Sequence, residues 1–321
     1  LCLLCVIEAE NIYPMKKRNI ILFCIFFAVL GLFLESCRSD KQKDETVTED
    51  GQPDPLDSIS VVEKYDGGYR TIAVKGNDSL TNVFDNRYTD EQRYVILALN
   101  RLDGYRYRSV DSLVVPDSTW SDIKSYSPFP SELETLKDVN KIVIFSYPLQ
   151  AFAAYVHGKL LRWGPTSMGR KDAQTPTGLH FANWKKEEHI STVDDEWLLK
   201  WNFNIMNKEG VGWHLYALPG IPASHSCLRL LEEDAKYLYS FADMWLIEGT
   251  DNILAQGTPV LVYGAYDFEG RKPWMALAGN PKANDISVDE LNQELQPHIA
   301  KILEEQKKRE TVEKESTSDA S

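Results

Sequence analysis

The chain has 321 residues, 43% of them hydrophobic, with 15 tyrosines and 8 tryptophans, which is enough apolar material for one full core and a smaller second unit. Its formal net charge of -13 argues against a nucleic-acid partner, because such binding draws its affinity from a basic face that neutralises phosphates.

The first element in chain order is an export signal over residues 1–37. Residues 1–14 precede Met15, the expected initiator, and Met15-Lys16-Lys17-Arg18 is a basic start. Ile20 to Leu34 is apolar throughout. As a helix that run covers roughly 22 Å, short of a hydrocarbon core of about 30 Å, so it reads as a signal core and not a permanent span. Leu34-Glu35-Ser36-Cys37 closes it and resembles the bacterial lipobox, which implies a diacylated Cys37 at the mature N-terminus. Simple cleavage and an uncleaved anchor are the alternatives. The implied location is the periplasmic face of a membrane, held through a lipid anchor.

After processing at Cys37, the five cysteines Cys2, Cys5, Cys24, Cys37 and Cys227 reduce to Cys227 in the globular part. It then has no disulfide partner. An unpaired thiol in an oxidising compartment is a liability unless it is buried or used, and burial as a small hydrophobe is the ordinary outcome.

Residues 38–57 are charged, lack periodic apolar positions and read as a flexible linker. A small α/β domain is expected over 58–116. There Thr89-Asp90-Glu91-Gln92 has the pattern of a capping box opening a helix with Tyr94, Val95, Leu97, Ala98 and Leu99. With Val74 to Leu80 upstream and Asn100-Arg101 and Leu113 to Pro116 downstream, this stretch resembles a LysM glycan-binding module in order and length. The alternative is an unspecialised small domain. Residues 117–140 are a serine-rich connector ending Pro128-Phe129-Pro130.

From Lys141 the pattern turns to strands. Ile142 to Phe145, Phe152 to Val156 and Lys159 to Trp163 are apolar runs, and His157-Gly158 between the last two predicts a two-residue hairpin turn. More strand follows at Gly212 to Tyr216 and Val260 to Tyr263. One helix is predicted over Glu232 to Met244, its acidic first turn suited to the positive end of the helix dipole. In the extension 265–321, Ser287-Val288-Asp289-Glu290 predicts a helix that Pro297 interrupts, and the Lys/Glu/Ser tail after Glu304 reads as disordered.

Trp201-Asn202-Phe203, Gly212-Trp213-His214, Ser224-His225-Ser226-Cys227-Leu228-Arg229-Leu230, Asp234-Ala235 and Gly257-Thr258-Pro259-Val260, with Gly158-Lys159 and Thr175-Pro176-Thr177-Gly178 upstream, resemble the L,D-transpeptidase catalytic domain of the YkuD type, collinearly over 141–264. The resemblance implies a mainly β, α+β fold, a β-sandwich with one packed helix. It also implies an enzyme acting on peptidoglycan peptide stems at the bond after the third, diamino-acid residue, without a cofactor or metal.

Chemistry gives the residues roles. A thiol at its free pKa of about 8.5 needs a proton acceptor or a positive dipole to act at neutral pH. His214 is the candidate base, oriented in the family by the backbone carbonyl of the next residue, here Leu215. The loop between them, with Pro219, Gly220 and Pro222, can fold Cys227 back beside His214. His225 lines the donor pocket and supports the oxyanion site together with Ser224 and backbone N–H groups at Ser226 and Cys227, the base role being its alternative. Arg229 alternates onto the Cys227 face, where it holds the loop or a substrate carboxylate. Trp184, Trp197, Trp201 and Trp213 are candidates for an acceptor groove, with buried core as the alternative for each. His214, His225 and Cys227 are three possible zinc ligands, but no fourth has suitable spacing.

Two departures from the family stand out. Ser226 and Leu215 occupy positions where glycine is usual. A positive φ at Ser226 would cost serine on the order of 1 kcal/mol, so either the backbone there is ordinary, or the pocket is reshaped with the Ser226 hydroxyl pointing into it. A catalytically silent wall-binding protein, an L,D-carboxypeptidase and a sortase-like Cys/His/Arg enzyme are the competing functional readings.

Overall fold

The computed structural model describes residues 62–75, 84, 86–118, 122–190, 198–250 and 252–318. The signal segment with Cys37, the linker and Trp197 lie outside these residues. In chain order the elements are β1 (Tyr69–Ala73), α1 (Asp90–Leu99), β2 (Ser112–Pro116), β3 (Ile142–Ser146), β4 (Ala151–Val156), β5 (Lys159–Ser167), β6 (Gly178–Phe181), β7 (Lys185–Ile190), β8 (Leu198–Met206), β9 (Val211–Leu215), β10 (Leu228–Leu230), α2 (Glu232–Phe241), β11 (Leu246–Glu248), β12 (Asn252–Ala255), β13 (Pro259–Tyr263) and α3 (Val288–Ser318). The class is α+β, dominated by one nine-stranded sheet of order β6-β13-β3-β4-β5-β10-β9-β8-β7.

The central strands are apolar at nearly every position because both faces of the sheet are covered. On one face Ile142, Ile144, Ala153, Tyr155 and Leu261 pack with Leu99, Val114, Trp274, Leu291 and Leu295. On the other, Val143, Phe145, Phe152, Val260 and Val262 share a core with Phe203, Trp213 and Leu238. Strands far apart in sheet order thus meet in one cluster, so the sheet curls on itself. Backbone bonds from Ala182 N to Thr258 O, Asn183 N to Asn204 O and Asn204 N to Trp184 O fasten the curl.

Local signals are realised closely at two places. Thr89 Oγ1 accepts from Gln92 N and Gln92 Oε1 accepts from Thr89 N, which forms the capping box of α1. His157 and Gly158 turn the β4–β5 hairpin at φ 46° and 76°. A Cβ on Gly158 would come within 2.4 Å of Leu133 O, so this position requires glycine.

Within 58–116, β1 and β2 pair antiparallel and Phe84, Ile96, Tyr107, Leu113 and Val115 share a hydrophobic cluster of their own, while Val95, Leu99 and Val114 pack into the core of the central strands. Other expectations need correction. Helix α2 ends at Phe241 and not at Met244, because the chain turns out to bond the sheet rim. Asp243 N donates to Thr258 Oγ1, and Trp245 N donates to Asn183 O. The largest departure is α3, which runs through Pro297 and on to Ser318 where an interruption and an unstructured tail are expected. Tertiary contacts outweigh the missing proline N–H. Leu291, Leu295 and Ile302 are buried on the sheet, Gln306 bonds Asn140 N and Asp138 O, and Arg309 bonds Met244 O and Gln256 O.

A buried polar knot ties three elements. Asp234 of α2, wholly buried, accepts from Tyr94 of α1 at 2.9 Å and from Arg162 of β5 at 2.7 Å. Burial pushes its carboxyl up to about 6, against the opposing pull of Arg162 and Tyr94.

Candidate active site

β9 and β10 are neighbours, parallel and in register, with Arg229 opposite His214 and Leu228 opposite Trp213. Partners in register point to the same face, and alternation along the chain brings Cys227 to the face of Arg229. The topology therefore gathers Cys227, His214 and Arg229 on one side of two adjacent strands. A Cβ on Gly212 would come within 2.3 Å of Phe203 O, so the β9 backbone runs close against β8 just before His214.

His214 is 4% exposed, and its Nδ1 lies 3.1 Å from Leu215 O. A carbonyl only accepts, so Nδ1 carries the proton and Nε2 keeps a lone pair. Burial pushes this imidazole down to about 4, with the Leu215 bond opposing and Arg229 adding to the effect. Cys227 is half-buried, and burial raises its thiol pKa, while a backbone bond with Gly212 and the Arg229 charge pull the other way. At neutral pH the resting pair is thiol and neutral imidazole. Such a pair makes its thiolate by proton transfer as attack occurs, not beforehand.

The segment before the nucleophile is tightly pinned. Ser224 is buried; its Oγ donates to Cys227 O at 2.5 Å, and its backbone pairs with residues 168–170. Ser226 has φ 87°, so of the two alternatives the ordinary backbone is excluded. Its hydroxyl turns to Ala173 O at 3.3 Å. Thr175 secures the strained residue: its Oγ1 donates to Ser226 O at 2.7 Å and accepts from Gly169 N at 2.9 Å. Tyr147 OH donates to Gly169 O on the same support.

His225 faces away from the base role. Its Nε2 is 2.5 Å from Arg170 Nη1, and a guanidinium has only donors, so this nitrogen accepts from Arg170 and does not take the thiol proton. Arg170 is in turn held by Asp172 at 2.7 Å. Arg229 lies over the Tyr216 ring at 4.5 Å. Trp213 is fully buried between Phe145 and Phe203 and walls no groove, whereas Trp184 and Trp201 are partly exposed.

Sequence reasoning missed the arm that closes the loop between His214 and Cys227. Leu102 and Pro219 form an antiparallel bridge. Asp103 N donates to Leu218 O, Leu218 N donates to Asp103 Oδ2, and Gly220 N donates to Arg101 O. Arg101 itself is buried, with donors on Ala98, Leu99 and Leu149 carbonyls and its charge over Trp163 and Trp274. The only local hint was the pair Asn100-Arg101 at the end of a helix.

Residues 140–262 match the family model of the L,D-transpeptidase catalytic domain, YkuD. Among solved structures, an L,D-transpeptidase from Stackebrandtia nassauensis is 24% identical, with a TM-score of 0.33 over 40% of this chain and 57% of that one. One from Mycobacterium smegmatis is 20% identical, with a TM-score of 0.31 over 39% and 59%. One from Mycobacterium tuberculosis H37Rv is 20% identical, with a TM-score of 0.31 over 48% and 72%. The chain thus spans less than two thirds of the first two structures it matches. No curated protein matches it. The strands and loop that hold His214 and Cys227 lie within the matched residues, and over 140–262 the chain carries an L,D-transpeptidase catalytic domain of the YkuD type.

Proposed function

We propose that the protein is a peptidoglycan L,D-transpeptidase with Cys227 as nucleophile and His214 as base. The observation that carries this reading is the parallel, in-register β9–β10 pair, with Arg229 opposite His214, which supports a Nδ1-protonated histidine and the one free thiol of the described residues on the same side of two adjacent strands. Cys227 Sγ attacks the carbonyl carbon of the third residue of a tetrapeptide stem while its proton passes to His214 Nε2. The C–N bond to the terminal D-alanine breaks, and His214 returns the proton to the leaving amine. The stem remains as a thioester. A side-chain amine of a second stem then attacks that carbonyl, loses its proton to His214, and releases the thiol, giving a 3→3 cross-link. Backbone N–H groups at Ser226 and Cys227, with His225 nearby, receive the oxyanion. Positioned amines outcompete water because effective molarities of about 10⁵ M or more exceed water at about 55 M.

Incubation with a carbapenem should add one covalent mass to the full chain and none to Cys227→Ala. Labelling that persists in the variant overturns the nucleophile. With purified disaccharide-tetrapeptide, mass spectrometry should find cross-linked dimer. Tripeptide alone at high acceptor concentration makes the protein an L,D-carboxypeptidase, and no D-alanine release favours a silent wall-binding role. We further propose that Cys37 is lipidated and tethers the enzyme at the periplasmic face, so Cys37→Ala should lose palmitate incorporation. Unchanged labelling refutes the anchor.

A further inference from the structure

Between α1, the arm and the start of α2 the surface opens into a cleft of about 430 Å³, within the usual size range of small-molecule sites, about 300–1,000 Å³. Leu97, Leu102 and Leu231 line it with apolar surface, and Tyr94 adds ring surface, since its hydroxyl is committed to Asp234. Charged side chains stand around that surface, but they are largely matched already. Lys236 pairs with Glu232 at 2.7 Å, Arg93 pairs with Asp90, and Glu233 is 4.0 Å from Arg162. A ligand with a fixed charge would meet its like on this rim and would have to break an existing pair. Hydroxyl groups both donate and accept, so a polyol can bridge paired ions without separating them. An apolar floor beneath a ring of matched charges therefore fits a sugar better than an ion or a charged peptide.

The cleft lies in line with the nucleophile. Leu231 is extended, and burial alternates along the segment: Leu228 and Leu230 are buried, whereas Cys227, Arg229 and Leu231 are half-buried. Cys227 and Leu231 therefore share the open face, roughly 13 Å apart along the chain. We propose that this cleft is a saccharide subsite, which holds the disaccharide carrying the stem whose third residue Cys227 attacks. This deepens the function proposed above and rests on it. From the attacked carbonyl back to the sugar the stem has three residues, about 10 Å of extended chain, so the sugar ring lies just beyond, at the distance of Leu231. Binding energy from the sugar, remote from the reacting bond, is then available to hold the stem in line. Helix α1 and the arm lie outside residues 140–262, so this subsite is built in part from residues that the family model does not match.

The test compares disaccharide-tetrapeptide with the free tetrapeptide, using the full chain and measuring release of D-alanine. The native protein should favour the disaccharide form about tenfold or more in kcat/KM. A Cβ on Gly104 meets nothing within 4 Å, so Gly104→Trp adds bulk at the cleft without a backbone clash and should bring that ratio close to one. Glu232→Ala combined with Lys236→Ala, both exposed, should lower it about threefold. Equal rates for the two substrates, or a ratio that survives both variants, overturn the subsite. If neither substrate releases D-alanine, the proposed reaction fails, and calorimetry on Cys227→Ala with the same two ligands decides the subsite separately. Binding of the disaccharide form about tenfold tighter than the free peptide upholds it; equal affinities, or binding of neither, overturn it.

Discussion

His214 is a titratable ring almost wholly removed from water, and this has a measurable consequence. Its ordinary value of 6.5 in the unfolded chain falls to about 4 in the fold, so between these values the unfolded state binds the extra proton. Its contribution is full above about pH 6.5 and is lost as pH falls toward 4, about 3 kcal/mol in all. The unfolding free energy measured in urea should therefore fall by about 2 kcal/mol more between pH 7.5 and pH 5 in the native protein than in His214→Gln. Identical losses would show that the buried imidazole is not neutral. Ser226 makes the opposite kind of prediction. Glycine at φ 87° removes strain of about 1 kcal/mol, against one long hydroxyl bond, so Ser226→Gly should raise the melting temperature by a few degrees. A lower melting temperature would mean that the Ala173 contact outweighs the strain.

Among elements, the knot of Tyr94, Arg162 and Asp234 is where α1, β5 and α2 depend on one another. Asp234→Ala leaves Arg162 largely buried without its counter-charge and should destabilise by about 3 kcal/mol. Replacing both, Asp234→Leu with Arg162→Met, should recover most of that; chemical denaturation of the double variant showing the same loss as the single one contradicts the ion-pair account. What could be read from sequence divides along similar lines. The Thr89 cap and the His157–Gly158 turn are settled by residues within a few positions of each other, and both were legible. So was the strand that carries His214. The course of α3 was not, because nothing near Pro297 announces that a distant sheet face needs covering. Nor were the supports of the nucleophile: Thr175, Arg170 and Asp103 become meaningful only once the sheet has curled and the arm has docked.

At the scale of the molecule, the core respects no boundary at either end of the matched residues. Ile142, Ile144 and Tyr155 have neighbours in Leu99 and Val114 on one side of the sequence and in Leu291 and Leu295 on the other. A fragment limited to residues 140–262 should thus lack cooperative unfolding and near-ultraviolet circular dichroism, whereas one spanning 62–318 should show both. A native-like spectrum from the short fragment would make the flanks dispensable.

The bridge between Leu102 and Pro219 joins strand-like residues more than a hundred positions apart, and the loop it secures leads to the nucleophile. Contacts of such separation form late, since closing so long a loop is unfavourable until other structure has shortened it. During synthesis the arm emerges first and waits for its partner. Chemical competence in this protein is consequently a property of the finished chain, acquired at about the same moment as its global fold and not carried by any nascent part.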